Sequence, residues 1–446
     1  MERVSSPTSP APLGADTPDI IVHTVLEVPI SKHRRIVTGS AIFLVGLVCA
    51  LLLGMGSRSG YHASFRLAPA DASIKVPNLT LPARLTGVLL GLVVISLGLF
   101  QIVRGFSKRS MRWVLSVTGL CFIVAFLCWA ATGGTKGGTL DLLGLLQQSI
   151  FLAIPLILGA LAGVLCERSG VINVAIEGQM LAGAWAGALV ATLLHNKGMG
   201  LLAAVIAGGL MGLLLAVFAI RYFVNQVVLG VVLNVLALGL TGFIYDALMQ
   251  PNQDTMNNPG FFDPIKIPVL GDIPIVGPLL FNANIIVYLT YVLIVVVDVA
   301  LFRTRWGLRT RAVGEHPEAA DTVGINVFRT RYRNVVYGGM VAGMAGAFLT
   351  IGAVGAFSKN ISSGKGFIAL AAVIFGRWSP RGAIGAALLF GFADALQTVL
   401  SFTQTPVTIP SSFLAMLPYL ATLFAVAGLV GRVRAPTADG EPYVKG

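Results

Sequence analysis

SKNISSGKGFIALAAVIFGRWSPRG, residues 358–382, decides the architecture, because its apolar run is half as long as those around it. Gly366 to Phe375 is about ten residues, roughly 15 Å of helix at 1.5 Å per residue, against a hydrocarbon core of ~30 Å. The run either turns back or is half of a broken crossing, and that choice sets the sense of every segment after it.

The surrounding chain makes a bilayer the setting. Of 446 residues, 56% are hydrophobic and only 11% charged, too little charge to cover the surface of soluble domains. The net charge of +12 fits Lys and Arg placed on the cytoplasmic side of a membrane, and nucleic acid is not an expected partner. Cys49, Cys121, Cys128 and Cys166 fall inside or at the end of apolar runs without metal-ligand spacing, and read as small embedded side chains. A Pro- and Ser-rich tail, residues 1–31, is read as disordered and cytoplasmic. The run that follows Lys32, Arg34 and Arg35, Ile36 to Met55, is of spanning rather than signal-peptide length.

Runs of spanning or near-spanning length recur at Ala83 to Val103, Trp113 to Thr132, Leu142 to Cys166, Val171 to Leu194, Gly200 to Ile220, Val227 to Met249, Ala283 to Phe302, Val335 to Ala356, Gly382 to Phe402 and Phe413 to Val430. With the N-terminus inside and every run counted, Arg104, Lys108, Arg109, Arg112, Arg168, Arg221, the arginines from Arg303 to Arg333, Arg377, Arg381, Arg432 and Arg434 fall on one side. The other side holds scattered residues such as Arg58, Lys75, Lys136, Lys197, Lys266 and Lys359. The expected fold is therefore all-α and polytopic, with about twelve crossings and both termini cytoplasmic. Gly366 to Phe375 is read as a half-crossing completed by irregular backbone through SKNISSGKG, tolerable where that backbone is buried or lines a cavity.

The charged interruption 303–334 then lies in the cytoplasm. In GEHPEAADTVGI, residues 314–325, Pro317 suits the first helical position, Glu318 and Asp321 complement the helix N-terminus, Ala319 and Ala320 favour helix, and Gly324 offers a stop. A two-turn helix is not stable alone in water and needs a surface to lie on. Flanking arginines could fix it to anionic headgroups; the alternative is a docking element for a soluble partner.

Four ordered stretches carry a family resemblance: ERSGVINVAIEGQMLAGA (167–184), VNQVVLGVVLNVLALGLTGF (224–243), GEHPEAADTVGINVFRTRYRNVVYGGMVAGMAGA (314–347) and GKGFIALAAVIFGRWSPRGAIGAALLFGFADAL (364–396). Together they resemble the permease subunits of ATP-binding-cassette importers of the branched-chain amino acid, ribose and nucleoside family, and are most similar to the nucleoside permeases. The resemblance implies a multi-pass protein of the bacterial cytoplasmic membrane. Its implied partners are an ABC ATPase subunit, a second homologous permease, an extracellular substrate-binding lipoprotein and membrane lipids. It also identifies Gly314, Glu315, His316, Pro317, Glu318, Ala319, Ala320, Asp321, Gly324 and Ile325 as the segment that couples to the ATPase. Residues 32–140 depart from the family pattern as an extra three-span region. The permease domain is placed at 141–431, with a cytoplasmic tail at 432–446.

No Gly-x-x-x-x-Gly-Lys-Ser/Thr phosphate loop occurs; TGGTKGGT and SSGKGF have the wrong order and spacing. The chain is expected not to be an enzyme and to bind no cofactor, with ATP and Mg used by the partner ATPase. His23, His33, His62, His195 and His316 are too scattered to form a metal site.

Polar residues inside spans need a reason, a central charge costing ~2.5 to 3.5 kcal/mol on insertion scales. Glu177 is placed about two turns into its span with Asn173 a turn earlier on the same face. Either it pins the start of its helix, which enters through Gly170 and is locally unwound, or it contacts substrate hydroxyls. Asn234, Gln147 and Gln148 carry the same two readings. Asp394 with Gln397 lies near mid-span on a Gly-rich surface, so Asn173, Glu177, Asn234, Asp394 and Gln397 are the translocation-pathway candidates. Asp298 and Asp246 sit near span ends and are expected at the interface. Gly339, Gly343 and Gly346 form one small face after the cytoplasmic segment, suited to close helix contact and to sliding. The competing reading, an ion-coupled secondary transporter of a small polar solute, would carry a compact set of mid-membrane charges and need no docking helix.

Overall fold

The computed structural model describes residues 32–68, 76–133, 139–403, 405–407, 409–424 and 434–445. The tail 1–31, residues 425–430 of the last apolar run, Lys75, Lys136 and Arg432 lie outside the described residues.

In chain order the elements are α1 (Lys32–Leu47), β1 (His62–Arg66), β2 (Leu79–Pro82), α2 (Ala83–Val103), α3 (Lys108–Ala130), β3 (Thr139–Asp141), α4 (Leu142–Glu167), α5 (Ile176–Leu193), α6 (Lys197–Ala216) and α7 (Gln226–Ile244). Short pieces follow, α8 (Gln253–Met256), β4 (Ile265–Lys266), α9 (Val276–Leu280) and β5 (Asn282–Ala283). Next come α10 (Ile285–Arg303), α11 (Arg305–Glu315), α12 (Pro317–Thr322), α13 (Val327–Ala347), α14 (Lys365–Phe375), α15 (Pro380–Phe402), α16 (Ser411–Ala415) and α17 (Leu417–Phe424). Wider π-helical turns extend α1 to Met55, α6 to Arg221, α7 to Met249 and α13 to Val354.

The chain is an all-α polytopic membrane protein: among the described residues nine helices are long and apolar enough to cross a bilayer. Two further helices that the apolar runs announced are not among the nine, α14 by its length and α5 by the polar Glu177 and Gln179 at its start. α14 has 11 residues, as the run at 366–375 implied, and α5 has 18. The run read from Val171 begins as helix only at Ile176, because Val171 to Ala175 is non-helical backbone. Glu177 consequently stands in the first turn of its helix rather than two turns in, and Asn173 precedes the helix rather than sharing a face with it.

α4 and α13 form the centre. In each, 83% of the most apolar stretch is buried, against 28% for α2 and α10, which keep most of their surface for lipid. Lipid tails are as apolar as leucine, so close packing rather than hydrophobicity selects which helices go inside. α13 is admitted by its glycines: a Cβ on Gly343 would lie 2.2 Å from the Ala204 carbonyl oxygen of α6, and one on Gly346 1.9 Å from the Met180 carbonyl oxygen of α5. Gly183 of α5 and Gly208 of α6 meet the same stretch, their added Cβ atoms falling 2.4 Å from the Gly343 oxygen and 2.3 Å from the Gly339 oxygen.

α1 and α2 pack through a second glycine seam, with Gly54 against Gly87 and Ala50 against Gly91. β1 pairs antiparallel with β2 and parallel with β3, joining this region to the start of α4. Cys49, Leu53, Ala125 and Trp129 share one apolar cluster with Leu400 and Leu414, so the first three helices rest on α15 and α16.

Candidate functional site

Two polar constructions stand out, one at an end of the bundle and one inside it. At the end, α10 runs into α11, a helix that the flanking arginines did not announce, and Thr304 caps it by accepting from the Gly307 N–H. His316 breaks the helix, Pro317 restarts it as α12, and Gly324 closes it at φ +83° with the Ile325 N–H donating to the Ala320 carbonyl. The predicted two-turn helix is thus present, six residues long, and it does lie on a surface. Ala320 is 3% exposed and packs with Val313, Val327 and Tyr443, whereas His316, Glu318 and Ala319 face outward; Asp321 and Ile325 are half-buried. Gly314 touches the turn that follows α4: a Cβ there would sit 2.3 Å from the Arg168 carbonyl oxygen. Arg168 is itself held by that end of the bundle, its Nε donating to the Trp378 carbonyl at 2.7 Å.

Residues 436–444, within the segment read as a cytoplasmic tail, complete this face. The Ala438 N–H donates to the Gly314 carbonyl at 3.0 Å, and the Thr437 N–H and Oγ1 donate to Glu315 Oε2 at 3.2 and 3.0 Å. The ring of Tyr443 lies 5.5 Å from that of Phe328. Between this segment and α12 is a cleft of about 270 Å³ bordered by Glu315, His316, Glu318, Ala319, Glu441 and Pro442. Asp439 stands beside Glu167 and Arg331; burial, then the Glu167 carboxyl, push its carboxyl up to about 8 against the opposing pull of Arg331.

Inside the bundle, the non-helical entrance to α5 has its polar groups met by side chains. The Ile172 N–H donates to Gln226 Oε1 at 2.7 Å, Asn234 Nδ2 donates to the Val174 carbonyl at 2.9 Å, and the Gly178 N–H donates to Asn234 Oδ1 at 2.8 Å. Asn173 and Gln179 pair through their amides at 3.0 Å. Unwound backbone at membrane depth is tolerable only when satisfied in this way. Glu177 does the same for the start of α14: Ser362 Oγ at 2.6 Å and the Gly364 N–H at 2.8 Å donate to Oε1, and the Gly366 N–H at 2.6 Å donates to Oε2. One carboxylate therefore joins the broken helix α5 to the half-length helix α14.

Asn173, Glu177 and Asn234 are thus brought together, as parts of one scaffold. Asp394 and Gln397 stand half-buried on α15 and take no part in that hydrogen-bond set. Gln147 donates to the Pro278 carbonyl at 2.9 Å. Asp298 pairs with Arg381 at 2.8 Å and Asp246 with Lys359 at 2.6 Å, which places both aspartates at span ends. Sequence reasoning missed Gln226, Gln179, Ser362, Glu167 and Tyr443. Gln226, Gln179 and Glu167 lie inside the stretches that carry the family resemblance and Ser362 in the irregular backbone before α14, so each had a local signal; Tyr443 had none. Among the described residues no group of three His, Cys, Asp or Glu side chains is arranged to hold a metal ion.

Residues 145–429 match the family described as branched-chain amino acid transport system / permease component. The chain is 43% identical over 313 residues to the guanosine ABC transporter permease protein NupQ of Bacillus subtilis, covering 68% of this chain and 97% of that protein. It is 36% identical over 311 residues to the nucleoside ABC transporter permease protein NupC of Lactococcus lactis, covering 68% and 96%. A putative glucose ABC transporter permease protein of Haloferax volcanii is 37% identical over 254 residues, covering 57% and 77%. No solved structure matches.

Proposed function

This chain belongs to the branched-chain amino acid transport system / permease component family, and from that membership we propose that it is the membrane permease of an ATP-driven importer whose cargo is nucleosides. The observation that carries the reading is identity of 43% and 36% with guanosine and nucleoside permeases across nearly their whole length. Sugars are the second cargo class, through the glucose permease relative, which matches over a smaller share of both chains.

The coupling face supports the transport mechanism. In this reading α11 and α12 lie in the cytoplasm with both termini, about twelve crossings are made, and an ABC ATPase that uses ATP and Mg seats on the exposed His316, Glu318 and Ala319. A displacement of α12 presses Gly314 on the Arg168 turn, which leads into the unwound Val171 to Ala175 and so to Glu177 and α14. Two short helix ends linked by one carboxylate give the bundle an element able to take two positions, which alternating access requires. A second homologous permease and an extracellular binding lipoprotein complete the assembly.

Radiolabelled uptake of a nucleoside panel and glucose, in cells with and without the chain, tests the cargo; uptake of every nucleoside in the panel that is the same with and without the chain refutes it. For docking, Glu318→Arg with Ala319→Trp is expected to leave membrane insertion intact and abolish uptake. Ala320 is left alone because its inward packing would confound the result.

A further inference from the structure

We propose that the segment Arg434–Lys445 is a strap that makes the coupling face and the helix-entry turn one moving body, with Tyr443 and Thr437 as its positioning residues. This rests on the coupling role proposed for α12. The segment touches every part that must move together. Thr437 and Ala438 bond to the end of α11 at Glu315 and Gly314. Tyr443 fills the seam between Val313 of α11, Ala320 of α12 and Val327 of α13. Gly440 reaches the unwound entrance, a Cβ there falling 2.6 Å from Ile172 Cδ1, and Ala438 closes on Gly170, whose added Cβ would lie 3.0 Å from the Ala438 carbonyl oxygen. The Glu441 carbonyl accepts from Nη1 of Arg331, a side chain buried in α13, at 2.9 Å.

Without these contacts the six-residue α12 is a short helix on a four-residue link, Val323 to Asn326, that turns at Gly324, too weakly held to transmit force. Its own face toward the bundle offers only Ala320, a single methyl group. Tyr443 supplies the apolar area that α12 lacks, so the strap decides whether a push on α12 bends that link or moves the Arg168 turn.

The test uses the permease reconstituted in lipid vesicles with its ATPase, second permease and binding protein, reading ATPase co-purification, ATP hydrolysis and guanosine uptake. Tyr443→Ser is expected to retain the ATPase and to hydrolyse ATP within about twofold of the unmodified complex, while uptake falls about tenfold. Tyr443→Phe, which keeps the ring in its seat, is expected to restore uptake. Unchanged uptake per ATP in Tyr443→Ser overturns the proposal. So does a parallel loss of co-purification, hydrolysis and uptake, which would make the segment part of the docking seat itself. Where Tyr443→Ser does not reach the membrane, Thr437→Val, which removes the hydroxyl bond to Glu315 alone, is read by the same criteria. An unmodified chain that retains no ATPase takes down the docking reading and the strap with it.

Discussion

Replacing Glu177 separates the two roles open to a membrane carboxylate, a scaffold bond and a cargo contact. Its oxygens accept from Ser362 Oγ, the Gly364 N–H and the Gly366 N–H, and of these donors Ser362 and Gly366 are buried while Gly364 is half-exposed. Glu177→Ala strands the two buried donors at about 1–3 kcal/mol each, so a loss of about 2–6 kcal/mol is expected, Gly364 recovering its bond from water. Glu177→Gln keeps the oxygen that serves Ser362 and Gly364 but turns an amide N–H₂ toward the Gly366 N–H, one lost bond and about 1–3 kcal/mol. The stability order is therefore unmodified, then Gln, then Ala. Thermal unfolding of the purified protein reads the global term, and trypsin cleavage at Lys365, which adjoins the bonded loop, reads the local one. If the pinning is real, both report the same order, and kcat for uptake falls without a selective rise in KM. A Glu177→Gln protein that melts normally, keeps Lys365 protected and shows only a raised KM for guanosine would refute the scaffold role and give this carboxylate to the cargo.

Gly343→Ala is expected to destabilise the bundle by about 1–3 kcal/mol or more, since its methyl would meet the α6 backbone, which cannot step aside as a side chain can. Gly239→Ala on α7, where a Cβ meets nothing within 4 Å, is the matched control and is expected to be neutral or to stabilise by about 0.5–1 kcal/mol; thermal unfolding compares the two. Asp439 makes strap docking depend on pH. Its docked carboxyl titrates near 8 rather than at the ordinary 3.8, so docking favours the neutral form, is strongest below the ordinary value, weakens as pH rises toward 8, and changes no further above it. Hydrogen exchange of the Ala438 amide, corrected for its intrinsic rate, should lose protection over that interval, and Asp439→Asn should flatten the response.

How much of this was legible varies with the reach of the signal. The short helix α12 could be read because Pro317 and Gly324 act on their own neighbours, fixing a first position and a stop within eight residues of chain. The half-length α14 could be read because a run that is too short is visible without its partners. The depth of Glu177 was misplaced because the apolar pattern starts at Val171 and says nothing of where the backbone becomes helical; Gln226 and Asn234, from another helix, stabilise the unwound form. Ala320 looked equivalent to Ala319, and only its packing with Val313, Val327 and Tyr443, from three other segments, makes the two different.

By itself the sequence determined the solvent, the helices and the approximate ends of most of them, because transfer of apolar side chains into hydrocarbon and the conformational limits of Pro and Gly are settled residue by residue. Tertiary structure alone decided which polar atoms are satisfied and by whom. Glu177 finds Ser362 at a separation of 185 residues, and Glu315 finds Thr437 at 122. In a bilayer a buried donor or acceptor has no water to fall back on, so its energy depends on which distant segment arrives beside it, and that is a property of packing rather than of any one stretch of chain.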